Sequence, residues 1–170
     1  MKIVLIGKPR SGKTTIIKRL VSVFSPAEIA GFYTEEILYR NERIGFELVD
    51  VKTGKRDVLA RKDIPTLYKV GRYGVMLENL ENFLKQINLK DKNAGLTFID
   101  EVGKMECLSD FFRKTVLQLL EKPGKVIFTA PFKGTDFIEE FKQKPGLKKI
   151  YVTTANRELV FRTLLNELSN

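Results

Sequence analysis

Residues 2–20, KIVLIGKPRSGKTTIIKRL, constrain the chain more than any other stretch. The apolar run Ile3–Ile6 is cut off by a loop holding two glycines and two lysines, and helical apolar spacing resumes beyond it. Gly7 to Thr14 satisfy the pattern Gly-x-x-x-x-Gly-Lys-Thr at every fixed position. The glycines let successive backbone N–H groups turn inward as a concave nest for phosphate oxygens. Lys13 is spaced to reach terminal phosphates and Thr14 to offer its hydroxyl to Mg²⁺, while the new helix aims its positive dipole end at the anion. The expectation is a nucleotide-phosphate site where the first strand meets the first helix.

A phosphate loop of this kind needs a carboxylate at the end of a neighbouring strand. The stretch LTFIDEVGKMEC (residues 96–107) supplies it, with Asp100 closing an apolar run and Glu101 behind it. Aspartate there holds Mg²⁺, often through water. The chain contains no histidine, so a general base must be a carboxylate, lysine or tyrosine, and Glu101 is either that base or a local ion-pair partner. Asp100-Glu101-Val102-Gly103 also fits Asp-x-x-Gly, but the guanine-reading tetrapeptide Asn-Lys-x-Asp is absent, which argues against a guanine-specific switch.

Several residues remain open between two readings. Lys104 either stabilises a transferring phosphoryl group or faces solvent, and Glu106 is either a further metal or water ligand or structural. Arg10 is either an in-chain arginine finger or a simple phosphate or surface contact. Thr129, at the tip of KVIFTAP, senses phosphate or merely ends its strand. Asn156 caps the last helix or borders the base together with Arg157.

At 170 residues, 43% hydrophobic and 30% charged, the chain is expected to form one α/β domain. Strands are predicted at Lys2–Ile6, Leu96–Asp100, Val126–Thr129 and Ile150–Thr153. Helices are predicted at Lys13–Val23, Leu77–Ile87, Asp110–Glu121, Thr135–Lys142 and Arg157–Leu168. Between the first two helices the texture becomes β-branched and aromatic, with turn signals at RNER and KTGK. This predicts an antiparallel insertion or sheet extension at roughly residues 28–62. A single cysteine, Cys107, excludes an intrachain disulfide and a multi-cysteine zinc site. No apolar run is long enough to span a bilayer and IVLIG is too short for a signal peptide, so the expected location is the cytoplasm. The net charge of +9 comes from residues scattered among segments, including Lys90, so it favours a solvated surface and anionic small ligands over a nucleic-acid stripe.

The blocks GKPRSGKTT, AGFYTEEI, RIGFELVDVKTGKRDVLA, VGRYGV, FIDEVGKMEC and VIFTAPFKG occur in an order that resembles the small P-loop nucleoside-triphosphatases of thermophiles, the family related to the human cancer-related NTPase. The similarity spans nearly the whole chain. It implies a RecA-like, mostly parallel sheet flanked by helices, with the antiparallel insertion. It also implies slow, Mg²⁺-dependent hydrolysis of several nucleoside triphosphates with little base preference; separately, the chain is expected to be a monomer. Gly7, Lys8, Pro9, Arg10, Ser11, Gly12, Lys13, Thr14 and Thr15 then form a first nucleotide-binding segment. Thr97, Phe98, Ile99, Asp100, Glu101, Val102, Gly103 and Lys104 form a second. Catalysis falls to Glu101, Lys13 and Arg10, and metal binding to Thr14 and Asp100. Tyr33, Glu35 and Glu36 are expected near the pocket mouth on the same grounds.

Two rival functions share these residues. A nucleoside or nucleotide kinase uses the same loop, although the segment after Thr129 lacks the arginines of a closing lid, leaving Arg40, Arg43 and Arg72 as substitutes. A nucleotide-regulated RNA-binding module would stack bases on Phe32, Tyr33, Tyr39, Phe46 and Tyr73, unless those rings fill a core.

Overall fold

The structure is a computed structural model that describes residues 1–87, 89 and 94–169; Lys90 lies outside them. Strands are β1 (Lys2–Gly7), β2 (Ile29–Tyr39), β3 (Glu42–Asp50), β4 (Arg56–Arg61), β5 (Lys69–Val70), β6 (Tyr73–Val75), β7 (Leu96–Ile99), β8 (Lys125–Pro131) and β9 (Leu147–Tyr151). Helices are α1 (Lys13–Val21), α2 (Leu77–Gln86), α3 (Asp110–Glu121), α4 (Asp136–Lys142) and α5 (Arg157–Ser169), with a 3₁₀ turn at Glu106–Leu108. The strands form one nine-stranded sheet in the order β5-β6-β4-β3-β2-β7-β8-β1-β9. β2, β7, β8, β1 and β9 run parallel, and β3, β4, β6 and β5 extend the sheet antiparallel.

β1 is apolar throughout because both its faces are covered. Ile3 and Leu5 pack with Ile16, Ile17 and Leu20 of α1 and Phe161 and Leu164 of α5. Val4 and Ile6 point the other way, into a core shared with Phe83 of α2, Phe112 of α3 and Phe141 of α4. At the start of α3, Ser109 Oγ accepts a 3.1 Å hydrogen bond from the Phe112 N–H, satisfying one of the free amides of the first turn.

β2 belongs to both halves of the sheet. Ile29–Phe32 pair parallel with β7, and Phe32–Tyr39 pair antiparallel with β3. Gly31 makes the close approach to β7 possible: its φ is 112°, and a Cβ there would stand 1.9 Å from the Phe98 carbonyl oxygen. Arg40 and Asn41, both left-handed, close the β2–β3 hairpin at the RNER signal.

Antiparallel pairing continues past residue 62, through β5 and β6 to Val75, as an unbroken part of the sheet. The short β5 and β6 carry too few alternating positions to be read from periodicity. β9 begins at Leu147, earlier than the apolar run suggests, because an edge strand paired only with β1 tolerates the exposed Lys148 and Lys149.

Candidate active site

The parallel strands end on one side of the sheet, and there the two sequence anchors meet. β8 lies between β1 and β7, so the phosphate loop after β1 faces Asp100 after β7 across the tip of β8. Asp100 is only 1% exposed and is held from three other elements. Its Oδ2 accepts from Thr14 Oγ1 at 2.8 Å and from Thr34 N and Oγ1 at 3.3 and 3.4 Å, and its Oδ1 accepts from Thr129 Oγ1 at 2.5 Å. Burial pushes the Asp100 carboxyl up, while the Thr129, Thr14 and Thr34 hydrogen bonds and the charge of Lys13 favour its anion. Thr129 therefore orients Asp100 and is itself fully buried.

The loop takes the shape its glycines permit. Gly12 has φ 103°, and a Cβ on it would meet Arg157 Cδ at 2.9 Å. A Cβ on Gly7 would meet Ser11 Oγ at 2.4 Å and the Val152 carbonyl at 2.7 Å. Arg10 also adopts a positive φ of 63° without being glycine. Lys13 Nζ donates to the carbonyls of Gly7 and Lys8 at 3.0 and 3.3 Å, which brings its charge to the loop. Ser11 Oγ is buried with no protein partner among the described residues.

A cavity of about 800 Å³ opens over this cradle, lined by Gly7, Pro9, Arg10, Gly12, Lys13, Thr14 and Thr15 from the loop, and by Glu101 opposite. The half-buried Glu101 carboxyl is raised by burial, against the opposing pull of Lys13, and further by the like charge of Asp100. A second cavity of about 670 Å³ adjoins the first and shares Pro9, Thr34, Phe46, Glu101 and Pro131 with it. Lys8, Gly103, Lys104 and Glu106 line this second chamber and not the first. Glu106 is 5% exposed, and burial and the charge of Glu101 raise its carboxyl well above the ordinary range.

The second sequence segment is thus divided. Asp100, Glu101, Gly103 and Lys104 reach the site. Thr97, Phe98, Ile99 and Val102 line neither cavity; they are buried strand and core residues that fix where Asp100 emerges. Glu35 and Glu36 line the first cavity. Tyr33 lies on the other core instead, with Lys18 Nζ 5.5 Å from its ring centroid. Asn156 forms a reciprocal pair with Thr153: the Thr153 N–H donates to Asn156 Oδ1 at 2.8 Å and the Asn156 N–H to Thr153 Oγ1 at 3.3 Å. That pattern makes Thr153 the capping side chain and puts Arg157 against the loop.

Sequence reasoning missed Thr34, and it reached Arg43 and Phe46 only through the rival kinase and RNA readings. Thr34 and Phe46 are brought in by β2 and β3, and Arg43 bridges Tyr73 Oη at 3.0 Å and Glu36 at 2.8 Å beside the cavity. The block GFYTEE was the available signal for Thr34. Arg40 and Arg72 are exposed at hairpin turns. Phe32 and Tyr73 are buried, whereas Phe46 packs edge-on to Tyr73 at 5.2 Å and lines both cavities.

The NTPase family profile matches residues 2–165. The chain belongs to the NTPase family. Among this family's members it is 38% identical to the nucleoside-triphosphatase THEP1 of Thermotoga petrophila, over 97% of this chain and 91% of that one. It is 40% identical to THEP1 of Natranaerobius thermophilus, over 92% and 89%. The crystal structure of THEP1 from Aquifex aeolicus superposes with a TM-score of 0.86 at 30% identity, covering 100% of both chains. The solution structure of a human cancer-related nucleoside triphosphatase gives 0.77 at 31% identity, covering 98% and 96%. The resemblance in the blocks quoted above therefore holds in sequence and fold. No helix of the described residues is long and apolar enough to cross a membrane.

Proposed function

We propose that the chain acts as a single nucleoside-triphosphatase domain, cleaving ATP, GTP and other nucleoside 5′-triphosphates to the diphosphate and phosphate. The observation that carries this reading is the 2.8 Å contact of Thr14 Oγ1 with Asp100 Oδ2, at the edge of a cavity lined by Lys13 and Glu101.

A hydroxyl beside a carboxylate is an all-oxygen donor set suited to a hard dication. Among the described residues no cluster of three or more carboxylate, cysteine or histidine ligands could hold a metal. Mg²⁺ keeps waters and takes substrate phosphate oxygens, so two protein oxygens are enough to place it. Thr14 and Asp100 would hold it, and when bound it neutralises charge on the outer phosphates.

The chain's own groups do the rest. Inward amides of the loop grip the phosphates, and the Lys13 ammonium offsets charge spreading over the terminal phosphoryl oxygens. Glu101 accepts the proton of a water attacking the terminal phosphorus in line with the departing diphosphate. Arg10 and Lys104 flank the phosphates from the loop and from the second chamber. No side chain that reads base edges is required, in keeping with low base specificity. The lone buried Cys107 suits a reducing cytoplasm.

The test is phosphate release from ATP, GTP, CTP and UTP with Mg²⁺ and with a chelator. Metal-dependent release from all four is expected. Release from none, or release indifferent to the chelator, would overturn the reading.

A further inference from the structure

A hydrolase needs room for one water, about 30 Å³ of liquid volume. The chamber on the far side of Glu101 measures about 670 Å³, a size at which cavities hold small molecules. We propose that this chamber is an acceptor site for a small anionic alcohol with a flat or apolar body, whose hydroxyl receives the terminal phosphoryl group. The proposal rests on the triphosphate-cleavage reading above and adds a second reaction to the same centre.

Position is the first argument. Glu101 stands in the wall common to the nucleotide cavity and the second chamber. In-line transfer needs the attacking oxygen on the side of the phosphoryl group opposite the leaving diphosphate. The second chamber begins at that wall, so a bound molecule there can present a hydroxyl where the water would otherwise stand.

Lining is the second. Phe46 from β3, Leu59 from β4, Val70 from β5 and Met105 after β7 make an apolar surface. Three exposed lysines, Lys8, Lys104 and Lys133, border it with positive charge. Neither feature assists a water. Both suit an organic body carrying an anionic group.

The base sets the nucleophile. A carboxylate at the attack point favours an acceptor that brings a proton and repels one that brings a phosphate oxygen, so an alcohol is favoured over a 5′-monophosphate. The acceptor oxygen forms a bond to the terminal phosphorus. The bond from that phosphorus to the bridging oxygen breaks, and its electron pair leaves with the diphosphate. The hydroxyl proton passes to Glu101 and then to solvent. Triphosphate and alcohol become diphosphate, phosphoryl ester and one proton, with no redox partner needed.

Nucleosides and nucleoside 3′-monophosphates serve as probes, because both keep a free 5′-hydroxyl and only the second carries the anion. The full chain is incubated with Mg²⁺ and ATP labelled in its terminal phosphate. Labelled 5′-phosphorylated product is expected from at least one 3′-monophosphate, with free phosphate falling in step. Lys133→Ala should reduce the preference for the 3′-monophosphate over the nucleoside by about tenfold, the scale of one charged contact. Val70→Trp, which pushes a bulky ring into the chamber, should lower the ratio of labelled acceptor to free phosphate by at least about tenfold. Lys133→Ala lies at the surface and carries the test if the tryptophan variant fails to fold. Calorimetric titration of the 3′-monophosphates onto the chain holding Mg²⁺ and a non-hydrolysable ATP analogue gives a readout without turnover. Continued phosphate release with no labelled acceptor, whether or not the probes bind, overturns the acceptor site and leaves the hydrolase reading standing. Absence of both phosphate release and labelled product overturns the two together.

Discussion

Thr129 Oγ1 donates a 2.5 Å hydrogen bond to Asp100 Oδ1 inside the protein, while Asp100 Oδ2 faces the phosphate loop through Thr14 at 2.8 Å. One carboxylate oxygen is thus anchored and the other presented. Thr129→Val keeps the shape and removes the anchor, leaving the buried carboxylate short of a donor. A loss of about 1–3 kcal/mol is expected in urea unfolding. The variant should also need more Mg²⁺ for half-maximal phosphate release, because the Asp100 anion is less favoured, and Thr129→Ser should restore both. Wild-type magnesium dependence in the valine variant would remove Thr129 from the metal site.

Glu101 lines the cavity over the Gly7–Thr14 loop yet has no part in anchoring Asp100. Glu101→Gln should bind Mg-nucleotide with affinity close to wild type while turnover falls about a hundredfold or more, the range for a lost general base. Titration calorimetry and steady-state phosphate release check the two halves. A collapse in affinity would mark Glu101 as structural.

Gly31 tests the junction between the parallel and antiparallel halves. Gly31→Ala drives a Cβ to within 1.9 Å of the Phe98 carbonyl at φ 112°, so a cost above about 2 kcal/mol is expected. Gly54 has φ 72° but nothing within 4 Å of its Cβ position, and Gly54→Ala should cost only about 1–2 kcal/mol of left-handed strain. Equal losses in denaturant unfolding would show that conformation, not contact, governs Gly31.

Glu106 sets a pH dependence. Its folded carboxyl is raised well above the ordinary value by burial, then by the charges of Glu101 and Asp100. Below the unfolded value of about 4.3 both states hold the proton and its stabilisation is complete. As pH climbs toward the folded value the unfolded chain releases the proton first, so stability declines. Glu106→Gln keeps an uncharged group of the same shape. It should equal or exceed wild type in unfolding free energy at pH 8, with the advantage shrinking toward pH 4.5. A variant less stable than wild type at pH 8 would contradict this.

Cys107 is buried in the 3₁₀ turn and its thiol is pushed up to about 12, first by burial and then by the nearby Glu106 charge. At pH 8 about one molecule in ten thousand would carry the thiolate that reacts with disulfide reagents. Labelling should be very slow in the native chain and immediate in denaturant; fast native labelling would place the thiol outside the core.

The parts legible in the sequence are those whose cause is local. The phosphate loop is written in consecutive residues because glycine dihedrals and a helix start are properties of a short segment. Helix α3 was found residue for residue, because Ser109 and the Lys122-Pro123-Gly124 stop bracket a periodic apolar face. β5 and β6 were not read, and β9 was misplaced at its start, because short or edge strands carry little periodic burial.

Glu101 and Asp100 could be chosen from sequence because each closes an apolar run with charge. Thr34 could not, and Arg43 and Phe46 enter only through the rival readings, since it is β2 and β3 that bring all three to the cavity. The same holds for Thr97, Phe98, Ile99 and Val102, which share a segment with the site yet spend their side chains on the core.

The sequence by itself determined that a strand, an anion-binding loop and a helix follow one another, and that two acidic residues end a second strand. Only the tertiary structure decided that β8 sits between those strands. Its Thr129 thereby grips Asp100, and the antiparallel half of the sheet walls a second chamber beside Glu101. The physical reason is range. Backbone conformation is set by neighbours along the chain, whereas strand order is chosen by which apolar faces can be buried together.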